Sequence, residues 1–302
     1  MMQNILAQDY VIPEKYPWIA SPEFLEWPYR NNLIVDKLLE MEADIVCLQE
    51  VQNDLFPDIM LRLSQTYHGI LQNVSETHNV GTALLLHKDC PISIKRAESR
   101  SRALITVLED KQNGSLLYVC SVHLDADKAW DRPKRQYHQN QRESQLKSLI
   151  KRIHHQCTLD NKDINDIPII IAGDFNILRN NPINAAMSNG EIYPHCDIPL
   201  RDVYLQNERD DRSSLVLYDD DDKSSATVST LFGSNHHLRK TYRGGAVLDY
   251  IYVSDQVQVL NTLLCHAKSS TAGGEQWPSH DHPSDHLPVG IDFEWNSGEL
   301  PP

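Results

Sequence analysis

Asp174 and Asn176 stand two residues apart directly behind the apolar run Ile167 to Ala172, in Gly173-Asp174-Phe175-Asn176. In extended chain such residues point the same way, so a carboxylate and a carboxamide would face one site from a strand's end. Taken alone, the tetrapeptide reads as a turn that spends Asp and Asn on backbone hydrogen bonds. Glu50 closes a second apolar run, Asp44 to Val51, where alternation puts Leu48 and Glu50 on one face. A carboxylate there is either an exposed edge residue or a ligand for a hard cation such as magnesium, which takes oxygen donors. His123 ends a third run, with Asp125 and Asp127 beyond it. Asp249, and the Ser284-Asp285-His286 cluster, complete the set. An Asp that fixes a His in one tautomer beside a scissile phosphate is a recurrent catalytic pairing. His280, His282 and His286 share a short loop, a composition that also suits zinc.

The elements that would carry these groups are short strands: Asp44 to Val51, Thr82 to Leu86, Ala103 to Leu108, Leu116 to Leu124, Ile167 to Ala172 and Val247 to Val253. Helical spacing predicts helices over Arg30 to Met41 and Gln141 to Ile153. Ile167 to Ala172 is apolar on both faces, as in a strand covered on both sides. The class is α/β. No repeat or linker divides the chain, so residues 1–302 read as one domain, with 206–223 a mobile acidic insertion.

Asn4 in NILAQDY, Glu50 in CLQEV, His123 in SVHL, Asp174 and Asn176 in IAGDFN, Asp249 in VLDYIYV, and Asp285 and His286 in PSDHLP follow one another along the chain. This order resembles the endonuclease/exonuclease/phosphatase superfamily. NILAQDY, LEWPYR and ADIVCLQEV resemble its branch of CCR4-type deadenylases, nocturnin, Angel proteins and 2′-phosphodiesterases. The resemblance implies a four-layer αββα sandwich of the DNase I-like type. It implies a magnesium site, with manganese as an alternative, at Glu50 with Asn4 and Asp285 close by. Asp174, oriented by Asn176, would position or deprotonate the attacking water. His286, paired with Asp249, would stabilise charge on the phosphoryl oxygens, and His123 would contact the same phosphate. Tyr242 and Arg243, ahead of the Asp249 strand, match an aromatic–basic–Gly pattern and are expected to bind substrate. The Tyr242 ring reads either as a base-stacking platform at the pocket rim or as a core aromatic packed over Gly244 and Gly245.

The chain departs from the branch in three places. Only Met1, Met2 and Gln3 precede Asn4, so the first strand reads as short or truncated and the sheet edge as incomplete. His123 is followed by LDADKAWDRPKR in place of an aromatic-Asp-Pro segment, with Trp130 and Pro133 as substitutes. Gly245 and Ala246 are extra residues before the Asp249 strand.

Composition bounds what such a site serves. Across 302 residues the net charge is −14, which disfavours holding long nucleic acid by bulk electrostatics. Contacts to nucleic acid would be local; the basic clusters at Arg132, Lys134 and Arg135 and at Arg239, Lys240 and Arg243 read either as phosphate contacts or as solvated faces. The six cysteines form no CxxC pair, and Cys47 and Cys120 lie within apolar runs as buried free thiols. Asp9, Glu14 and Lys15 interrupt any signal peptide, no run is long enough to span a membrane, and the chain reads as an intracellular, cytoplasmic protein with the nucleus also open. No leucine-rich segment of the kind that tethers CCR4 to its complex is visible. The expected partner is RNA or a nucleotide, and the expected activity a magnesium-dependent phosphodiesterase, a deadenylase-like 3′-end exoribonuclease. A phosphoesterase of small nucleotides, 2′-5′ oligonucleotides or inositol phosphates is the other enzyme reading, which the acidic charge favours. A catalytically inactive binding module is the reading from another class.

Overall fold

Apolar residues three and four apart make Trp27–Met41 a helix, α1, which buries Ile34, Val35 and Leu38. Pro28 in its first turn needs no intrahelical donor, and Glu42 ends it in the left-handed conformation. Phe56–Leu63 forms α2, Arg135–Leu159 α3, Pro182–Ser188 α4 and Val203–Gln206 α5. The computed structural model describes residues 1–74, 79–126, 135–194, 198–206, 215–218, 241–243, 246–265 and 277–295.

The strands, in chain order, are β1 Met2–Asn4, β2 Ile45–Gln52, β3 Tyr67–Leu71, β4 Val80–His87, β5 Ile92–Arg100, β6 Ala103–Asp110, β7 Leu116–His123, β8 Ile169–Asp174, β9 Arg201–Asp202, β10 Leu215–Tyr218, β11 Asp249–Val253, β12 Val257–Cys265 and β13 Val289–Trp295. They form two mixed sheets, ordered β10-β12-β13-β1-β2-β4-β3 and β5-β6-β7-β8-β11-β9. Cys47, Leu84, Ile105 and Cys120 belong to the core that joins the sheets. Ile34, Leu38, Ile59 and Leu63 of α1 and α2 cover the outer face of the first sheet through Leu48, Val51 and Leu85. Leu146, Leu149 and Ile153 of α3 and Ile183 and Met187 of α4 pack into the core of the second. The result is the expected αββα sandwich.

All six predicted strands and both predicted helices are present. The first strand is three residues long, as read, but it is no edge: β1 lies inside the sheet, parallel to β2 and antiparallel to β13. Met1 continues its pairing, the ammonium donating to the Ile45 carbonyl at 2.8 Å. The acidic insertion lies outside the described residues apart from Gln206 and β10, as do Asp127, Trp130, Arg132, Pro133, Lys134, Arg239, Lys240, Gly244 and Gly245. Cys47, Cys90 and Cys120 are free and buried, and Cys157 is buried. No helix among the described residues is long and apolar enough to cross a membrane.

Candidate active site

One rung of the second sheet carries three of the expected groups. β7 runs parallel to β8 with His123 opposite Asp174, and β11 runs antiparallel to β8 with Asp249 opposite Asp174. Gly173 makes the rung possible. A Cβ there would lie 1.9 Å from the Val122 carbonyl oxygen, so the close approach of β7 and β8 requires glycine.

The first sheet meets this rung through Asn4. Its amide donates to Glu50 Oε1 at 3.0 Å and to Asp174 Oδ2 at 3.1 Å, so one side chain joins carboxylates from both sheets. Glu50 reaches it by a route that alternation does not predict. The β2–β4 register shifts between Leu48 and Val51, and Glu50 has φ of 58°. This bulge turns Glu50 away from Leu48, which packs under the helices, and the expectation of a shared face is corrected. Glu50 Oε2 accepts from the Ala7 backbone N–H at 3.0 Å.

Asn176 orients Asp174 by its backbone, donating its N–H to Oδ1 at 2.9 Å. The chain has already left the extended conformation, with φ of 52° at Asn176, so its side chain does not face the site beside Asp174. The carboxamide instead donates to the Leu124 carbonyl at 2.9 Å and holds the segment after His123. The turn reading of this tetrapeptide is realised in the Asn176 N–H bond to Asp174, whereas the shared facing of the two side chains is corrected.

Asp249 and His286 form the expected pair, with Oδ2 2.9 Å from Nδ1, and His286 Nε2 lies 3.6 Å from Asp174 Oδ2. Thr241, which the sequence reading passed over, accepts the Asp249 N–H on its hydroxyl. His123 Nε2 stands 3.7 Å from Glu50 Oε1 and 3.9 Å from Asp174 Oδ2. Among the described residues, two groups of close donors result, Glu50–His123–Asp174 and Asp174–Asp249–His286. Asp285 is in neither; its carboxylate faces Arg243 Nε at 3.4 Å. Arg243 also donates to the Lys15 carbonyl and stacks on Tyr16 and Trp18, 4.8 and 5.6 Å from the ring centres. Those contacts assign it to the wall that holds Asp285. The partly buried Tyr242 ring packs at 4.9 Å against the His286 imidazole. The three loop histidines do not converge: His282 Nε2 contacts the His286 carbonyl at 2.8 Å and His280 is largely exposed.

The sequence profile of the Endonuclease/Exonuclease/phosphatase family matches residues 4–286, the span from Asn4 to His286. The chain belongs to this family. It is 28% identical to the CCR4-Not complex 3′-5′-exoribonuclease subunit Ccr4 of Candida albicans, over 98% of this chain and 41% of that protein. It is 26% identical to nocturnin of Xenopus laevis, over 98% of this chain and 72% of the relative. The chain thus spans about two fifths of the Ccr4 relative's length. Among solved structures, ANGEL2, a 2′,3′-cyclic phosphatase, superposes with a TM-score of 0.72 at 20% identity, covering 97% of this chain and 94% of that one. The human nocturnin catalytic domain gives 0.63 at 22% identity, covering 97% and 92%. Family membership makes the chain one of a group of hydrolytic nucleases and phosphatases.

Electrostatics within the family site favour a cation. Burial pushes the Glu50 carboxyl up, and Asp285 adds to the effect. Burial likewise pushes Asp174 up to about 6, with Asp249 adding and His286 opposing. For His286, burial alone would lower the pKa, but Asp249 and Asp174 reverse it and hold the ring well above the usual histidine range. His123 is lowered by burial. Among the described residues the carboxylates of Asp174 and Asp249 share His286 as their close partner, and Asp249 Oδ1 has no hydrogen-bond partner. A buried, oxygen-rich set short of positive charge fits a hard divalent ion.

Proposed function

We propose that this chain is a magnesium-dependent phosphodiesterase that hydrolyses RNA from the 3′ end. The observation that carries the reading is the meeting of Glu50, Asn4, Asp174, His123 and the Asp249–His286 pair at one end of both sheets. A phosphodiester needs charge neutralisation and an in-line water, and no covalent partner is required. Glu50 would hold the ion, with Asn4 bonded beside it and Asp285 close to the metal sphere. The bound ion would supply Lewis-acid neutralisation of the phosphoryl oxygens. Asp174, fixed by the Asn176 N–H and the Asn4 amide, would orient the attacking water and accept its proton. His286, kept protonated by Asp249, would donate to a phosphoryl oxygen as charge builds there, and neutral His123 would contact the same phosphate. The likeness to Ccr4 and nocturnin supports RNA as the substrate class.

The net charge of −14 favours a second reading, a phosphoesterase of small nucleotides, because bulk electrostatics oppose holding a long strand. One assay separates the two. Purified protein with magnesium is incubated with single-stranded RNA, single-stranded DNA, 2′-5′ oligoadenylate, NADPH and inositol phosphates. We expect RNA shortened from its 3′ end and no turnover in excess EDTA. Turnover of a small substrate with RNA left intact would replace the first reading by the second, and full activity in EDTA would remove the metal from both.

A further inference from the structure

We propose that Arg30 is a positioning residue for the active site, its buried guanidinium stapling the loop that follows Asn4 to the loop that carries Asp285–His286. The inference rests on the phosphodiesterase reading for its kinetic arm only. Arg30 lies on α1 four residues ahead of Ile34 and eight ahead of Leu38, within the apolar stripe, and has no exposed surface. A buried cation is costly unless its donors are satisfied. Here Nε donates to the Pro283 carbonyl at 2.8 Å, Nη1 to Gln8 Oε1 at 2.9 Å, and Nη2 to the Ile5 carbonyl at 2.6 Å and to that of Leu6. None of these acceptors is a carboxylate, so the contacts do not form an ion pair. Three are backbone carbonyls of two loops, and the fourth is the Gln8 side-chain amide.

The first loop does two things for the site. Leu6, at a φ of 59°, donates its N–H to Asn4 Oδ1 at 3.0 Å, and Ala7 donates to Glu50 Oε2. The second loop runs from Pro283 into Ser284, Asp285 and His286. Ser284 ties it back by donating from Oγ to the Asn4 carbonyl at 2.6 Å, and accepts the His286 N–H on the same oxygen. Arg30 takes carbonyls from both loops at once. Lysine would keep the charge, but three donors on one nitrogen cannot replace a planar fork that reaches four acceptors.

The test compares wild type with Arg30→Lys. We expect Arg30→Lys to keep the wild-type circular dichroism, lose about tenfold or more in kcat, and hold KM within about twofold, as for displaced catalytic groups with intact substrate contacts. A second readout is independent of turnover: the low-field proton resonance of the His286 Nδ1–H bonded to Asp249, which should shift or broaden. A folded Arg30→Lys with wild-type kcat, or with an unmoved resonance, overturns the proposal. If Arg30→Lys does not fold, Gln8→Ala, which removes the Nη1 acceptor together with the Gln8 Nε2 bond to the Leu25 carbonyl, should show a smaller kcat loss and a shifted resonance; wild-type values of both overturn it. A wild type that cleaves nothing in the substrate panel defeats the functional reading, while the resonance still decides the role of Arg30.

Discussion

Asp174 is the residue on which the proposed chemistry converges, because Asn4, the Asn176 N–H, His123 and His286 all face its carboxylate. Asp174→Asn keeps the shape and removes the charge. We expect it, Glu50→Gln and His286→Ala each to lower kcat by at least about a hundredfold, the order for losing an acid/base or preorganised electrostatic partner. Circular dichroism should not change. Wild-type turnover in a folded Asp174→Asn would show that another group orients the water. At this scale the sequence was informative wherever a polar residue interrupts or ends an apolar run, as at Asp174, Asp249 and His123. It was silent where geometry leaves regular alternation. The bulge that aims Glu50 depends on a register shift against β4, and the carboxamide of Asn176 serves Leu124 because the backbone turns left-handed there. Arg30 had a signal: a cation four residues ahead of Ile34 in an amphipathic stripe belongs either to solvent or to a buried polar network.

The strands that were legible, β2, β4, β6, β7, β8 and β11, hold runs apolar enough to stand out without a partner in view. β5 was not, since the adjacent Lys95 and Arg96, then Glu98 and Arg100, break up any apolar run along a sheet edge. β13 reads Val289, Ile291, Phe293 and Trp295 with Gly290, Asp292 and Glu294 between them, a period-two pattern that a search for continuous apolar runs overlooks. β1 is too short for any periodicity; its place is set by pairing with β2 and β13. Element packing also makes a sharp prediction at Gly173, where β7 and β8 approach most closely. Gly173→Ala puts a methyl group into the Val122 carbonyl, so the strands must part at the rung that holds His123 and Asp174. Overpacking of this kind costs about 1–3 kcal/mol or more. Urea unfolding should show that loss, and kcat should fall with it. A Gly173→Ala protein with wild-type stability and turnover would mean that the strands have slack at this rung.

Over the whole molecule, the outer helix layer is fastened to the edge of the second sheet by polar contacts far from the site. Arg96 on β5 donates from Nη1 to Asp160 Oδ1 at 2.9 Å, and Arg96 Nη2 and the Tyr118 hydroxyl both donate to Oδ2. Asp160 follows the end of α3, and Gln156 and Arg152 on that helix bind Glu98 of β5. Burial alone would raise the Asp160 pKa, but Arg96 and Tyr118 reverse this and hold it below the ordinary 3.8. A carboxylate depressed on folding contributes stability that is fully present above its unfolded pKa and is lost as pH falls through the folded one. The contribution should therefore be intact at neutral pH and fade only below about 3.8. Asp160→Asn removes the charge while keeping the side chain's size. At pH 7 it should cost on the order of 1.5–3 kcal/mol, the worth of hydrogen bonds to a charged group. Because protonation already neutralises the wild-type residue in acid, the gap between variant and wild type should narrow as pH drops below 3.8. Urea unfolding of both proteins from pH 7 down to pH 3 checks this, and kcat at pH 7 should be unaffected at temperatures well below unfolding. A gap that stays constant across that range would mean that Asp160 acts by shape alone, and that the charge pair does not fasten α3 to the sheet.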